Sequence, residues 1–66
     1  MERDTEIERE FIEQVASKVH DKKFIIAALH QMGTNKERRE LIEYLKTNQA
    51  DKEQIKRKMF SIIVEN

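Results

Sequence analysis

The most apolar segment of the chain reads Lys23-Phe24-Ile25-Ile26-Ala27-Ala28-Leu29-His30-Gln31-Met32-Gly33. Seven of the nine residues from 24 to 32 are apolar. At about 100° per residue they do not stay on one face of a helix. A helix that is apolar most of the way round is normally covered most of the way round. The pattern therefore predicts a central helix, about 22–32, against which the other segments pack.

The size and composition of the chain indicate a single helical domain covering residues 1–66. Its 66 residues include one glycine, no proline and no cysteine. A chain this short buries only about 60% of its unfolded surface, so a core alone gives marginal stability. Without cysteine, disulfides and thiolate zinc sites are excluded, and helix packing or oligomerisation must stabilise the fold.

Apolar residues at helical spacing predict three further helices around the central one. The first spans about residues 5–20, since apolar residues recur there every four positions at Ile7, Phe11, Val15 and Val19. A third helix is expected at about 35–47 and a fourth at about 52–64. The connections between them are two to four residues long, which favours antiparallel neighbours in a small all-α bundle of three to four helices.

Local residue patterns also predict where the helices begin and end. Asp21 and Asp51 stand where N-caps are needed, and Thr34 with Glu37 forms a capping box. Gly33 falls where a left-handed residue often ends a helix. The third helix opens with the wholly polar run 36–40, which we expect to project into solvent.

The sequence offers no pattern typical of an active site or a metal centre. His20 and His30 are ten residues apart and do not form a metal-binding pair at helical spacing. The carboxylates of the first helix lie opposite its apolar face, on a solvated face that is unlike the buried environment of a general acid. The chain has no glycine-rich loop for phosphate. We therefore expect no catalytic residues, cofactor or metal, and no small-molecule substrate is evident.

Basic residues of the third and fourth helices give a nucleic-acid-binding regulator as the alternative function. The candidates are Arg38, Arg39, Lys56, Arg57 and Lys58. Residues 25–44 superficially resemble a helix-turn-helix. That alignment, however, puts Arg39 where the second helix of the motif buries a branched apolar residue. Acidic residues are mixed with the basic ones, and the formal net charge of the chain is zero. This interpretation is therefore not favoured.

Apolar residues beyond the predicted core faces favour a protein interaction. The β-branched and aromatic end of the fourth helix is a poor helix sequence unless other contacts hold it. Large exposed apolar surfaces usually mark partner interfaces, and the commonest soluble assembly is a symmetric homodimer. The sequence thus predicts a non-enzymatic interaction or accessory module that self-associates or binds another protein. The interface candidates are Ile26, Phe60, Ile63 and Val64.

The location of the protein is expected to be the cytoplasm. The acidic start, Met1-Glu2-Arg3-Asp4, lacks the apolar region of a signal peptide. No apolar run approaches the roughly 18 residues needed to cross a bilayer. We therefore expect no membrane partner.

Overall fold

Four α-helices make up most of residues 5–65, the part of the chain that the computed structural model describes. They are joined by connections of three, three and four residues. Residues 5–65 contain no β-strand. Their bounds are α1 Thr5–Lys18, α2 Lys22–Gln31, α3 Asn35–Thr47 and α4 Lys52–Glu65. The predicted all-α bundle is confirmed, and its helices begin where the sequence patterns place them. The acidic start of the chain lies outside the described residues.

The core is built mainly by α1, α3 and α4. α1 packs against α2 and α3, and α3 packs against α4. The largest fully buried side chains are Phe11, Val15, Met32, Leu41, Leu45, Ile55 and Ile62. The Cα radius of gyration, 10.8 Å, equals the value of about 10.8 Å expected for a compact domain of this length.

The central position expected for α2 is not what the structure shows. Within α2 only Ala28 is buried, and Met32 follows directly after the helix end. Ile26 and Ala27 are exposed, whereas the remaining apolar residues of α2 are partly buried. The reason is that α2 packs mainly against α1, so the other sides of its apolar surface are only partly covered.

Three helix starts carry the predicted caps. The Asp21 carboxylate accepts the amides of Lys23 and Phe24 at the start of α2. Thr34 and Glu37 form the reciprocal capping box of α3. Asp51 caps α4 in the same way, since it accepts from the Gln54 amide at 2.9 Å and its own amide donates to the Gln54 side chain. These contacts satisfy amides that no helical carbonyl can reach.

Arg38 corrects the expectation that the first turns of α3 lie wholly in solvent. Its side chain is 9% exposed. Nε donates to the carbonyl oxygen of Met32 at 2.6 Å, and Nη2 donates to that of Leu29 at 3.1 Å. These carbonyls end α2, where helical partners run out and the helix dipole is negative. Arg38 is thus a structural cap for α2 contributed by α3.

Gly33 also differs from expectation, because none of the described residues has a positive φ. The helix instead ends through Met32, with φ −91° and ψ 72°. A Cβ atom added at Gly33 would lie 3.8 Å from the His30 carbonyl oxygen, an ordinary contact. The position therefore does not need glycine.

Gly33→Ala is accordingly expected to raise the free energy of unfolding by about 0.4–1 kcal/mol, because alanine restricts the unfolded chain more than glycine does. Urea unfolding followed by circular dichroism measures the change. A loss of stability would mean that the turn requires a backbone conformation closed to alanine.

Asp21 links the start of α2 to the start of α4. Its carboxylate accepts a hydrogen bond from Lys52 Nζ at 3.0 Å, and the same ammonium lies 5.5 Å from the centroid of the Phe24 ring. The hydrogen bond from Lys52, followed by that from the Phe24 amide, lowers the pKa of Asp21 below its ordinary value of 3.8. The charged carboxylate is therefore the form that stabilises the fold.

The contribution of Asp21 to stability should be present above about pH 4 and be lost as the pH falls through the lowered pKa. The variant Asp21→Asn keeps a side-chain oxygen that can cap α2, but this side chain is neutral over the whole pH range. Thermal unfolding from pH 6 to pH 2 should show the native chain more stable than the variant at the upper end, with the gap closing at the lower end. A gap that stays constant to pH 2 would contradict this role.

Candidate interaction surface

Five large apolar side chains remain exposed in the described part of the chain. They are Ile12 at 37%, Ile26 at 51%, Phe60 at 70%, Ile63 at 38% and Val64 at 67%. Four of them are the residues that the sequence analysis named as interface candidates. Ile12 was not among them.

Three of these residues form one continuous surface on α4, which we call the apolar strip: Phe60, Ile63 and Val64. They are spaced i, i+3 and i+4, so their side chains are neighbours on the helix. The buried face of α4 is formed instead by Ile55, Met59 and Ile62. The strip therefore lies along the flank of α4, outside the core.

A groove between α2 and α4 runs beside the apolar strip. Its volume is about 290 Å³, and it is lined by Phe24, Ala27, Ala28, Gln31, Lys56, Met59, Phe60 and Ile63. Ala28 and Met59 are buried, whereas Ala27 and Phe60 are exposed. On the α2 side, Ala27 and Ala28 contribute little side-chain volume to the lining of the groove.

Ile26 does not belong to this surface. It is two positions from both Phe24 and Ala28, which line the groove, and two positions turn a helix by about 200°. Its side chain therefore projects from the side of α2 that faces away from the groove. The structure brings three of the four predicted interface residues together and separates the fourth.

One basic side chain lines the groove, and another precedes the apolar strip by one turn of α4. Lys56 lines the groove, and its Nζ lies 3.9 Å from Oε1 of Glu53 on the same helix. Both side chains are more than half exposed, so this ion pair adds little stability. Arg57, three positions before Phe60, is exposed.

The five basic residues of the nucleic-acid alternative do not form one surface. Arg38 is buried as the cap of α2. Arg39 and Lys58 line a different, open cleft of about 580 Å³ between α3 and α4, together with the acids Glu40, Glu43 and Glu65. Lys58 Nζ lies 5.5 Å from the centroid of the Tyr44 ring in that cleft. Lys56 and Arg57 remain as a pair on the flank of α4.

No group of three or more histidine, aspartate or glutamate side chains within residues 5–65 is placed to hold a metal ion. His20 and His30 are both outside the core. No helix in that range is long and apolar enough to cross a membrane.

The comparisons with known proteins leave the surface to be interpreted on its own. No family model, curated protein or solved structure matches the chain significantly.

The groove between α2 and α4 was not predicted from the sequence. The available signal was the Ala27-Ala28 pair, which contributes little side-chain volume within an otherwise bulky apolar segment.

Proposed function

We propose that this protein is a non-enzymatic interaction module that self-associates through the apolar strip of α4. The observation that carries the proposal is the exposure of Phe60 and Val64, 70% and 67%, on one helix flank. Contiguous apolar side chains of this kind on a soluble domain usually mark a protein interface. A second copy is the partner of choice because the formal net charge is zero, so two copies do not repel each other.

The association is expected to be reversible. Complete burial of a side chain such as Phe, Ile or Val contributes about 1.5–3 kcal/mol. Association itself costs at least about 4 kcal/mol in lost translational and rotational freedom. Each copy contributes only three such side chains, and Ile63 is already mostly covered in the monomer. We therefore expect a dimer that dissociates on dilution. The monomer has a hydrophobic core of its own, so it can remain folded when the dimer dissociates.

Light scattering behind a sizing column, across a hundredfold dilution from the millimolar range, tests the proposal. The native chain should pass from dimer to monomer. Val64→Glu should raise the dissociation constant at least tenfold, because a carboxylate would have to leave water at the interface. Ile26→Glu is the matched control, since it makes the same kind of change at an exposed β-branched residue on the far side of α2.

Two results would count against this function. A native chain that stays monomeric at every concentration would exclude self-association. Equal dissociation by Ile26→Glu and by Val64→Glu would show that the effect is not confined to the apolar strip.

A further inference from the structure

We draw no further inference here: the strongest candidate, the groove between α2 and α4 that Ala27, Met59 and Phe60 help to line, carries none, because nothing in the structure shows what covers it.

Discussion

Replacing Arg38 by methionine is expected to lower the free energy of unfolding by about 2–4 kcal/mol, because two carbonyl oxygens at the end of α2 lose a charged donor. Hydrogen bonds to charged groups contribute about 1.5–3 kcal/mol, and a buried acceptor left without a partner pays for its lost hydration. Methionine retains most of the apolar stem, so the comparison isolates the guanidinium. Urea unfolding followed by circular dichroism measures the loss.

The neighbouring residue supplies the control for this prediction. Arg39 is exposed, and Arg39→Met should change the free energy of unfolding by no more than about 0.5 kcal/mol. Arg38→Lys should recover only part of the loss, since a single ammonium lacks the planar fork that reaches the oxygens of Leu29 and Met32 together. Equal effects of the two methionine variants would mean that Arg38 does not cap α2.

Phe11→Ala is expected to cost about 3–5 kcal/mol, because truncating a fully buried ring leaves a cavity in the core. Phe11 is 0% exposed. A chain of this length has a total stability of only about 3–10 kcal/mol, so much of the variant population should be unfolded at room temperature. Far-ultraviolet circular dichroism without denaturant would show this as a loss of helical signal.

The same substitution at Phe60 provides the contrast. Its ring is 70% exposed, so Phe60→Ala should change the stability of the monomer by no more than about 0.5 kcal/mol when measured at high dilution. If instead Phe60→Ala destabilised the dilute chain as much as Phe11→Ala does, Phe60 would belong to the core and not to an interface.

The helices and their caps could be predicted because the interactions that determine them are local. As N-caps, Asp21, Thr34 and Asp51 accept hydrogen bonds from amides within three residues of their own positions. Their partners therefore stand in the same short stretch of sequence. Apolar spacing likewise fixes the buried face of each helix without reference to the others.

The role of Arg38 and the conformation at Gly33 could not be predicted from local sequence patterns. Arg38 reaches a carbonyl nine positions back in the chain, and a hydropathy pattern treats it as one more polar residue of an exposed turn. Gly33 stands at a common site for a left-handed residue, but this chain leaves α2 through Met32 instead. For Arg38 the deciding hydrogen bonds join two helices, which a local pattern does not reveal.

The exposed apolar residues of α4 could be predicted for a simple reason. Phe60, Ile63 and Val64 exceed what the core face of α4 can hold, and that surplus is visible in the sequence. Their grouping beside a groove, and the separation of Ile26 from them, required the relative placement of α2 and α4. The excess of apolar residues can be counted within α4 alone, whereas the shape of the surface depends on how α2 and α4 are placed.

The cap that α3 provides for α2 has a consequence for how the molecule opens. The last turn of α2 completes its hydrogen bonding only when Arg38 is in place, so it cannot remain formed after α3 has separated. Amide protons at the end of α2 and at the start of α3 should therefore exchange with solvent through a shared opening. We therefore expect the two helices to open as one cooperative unit, although each has an N-cap of its own.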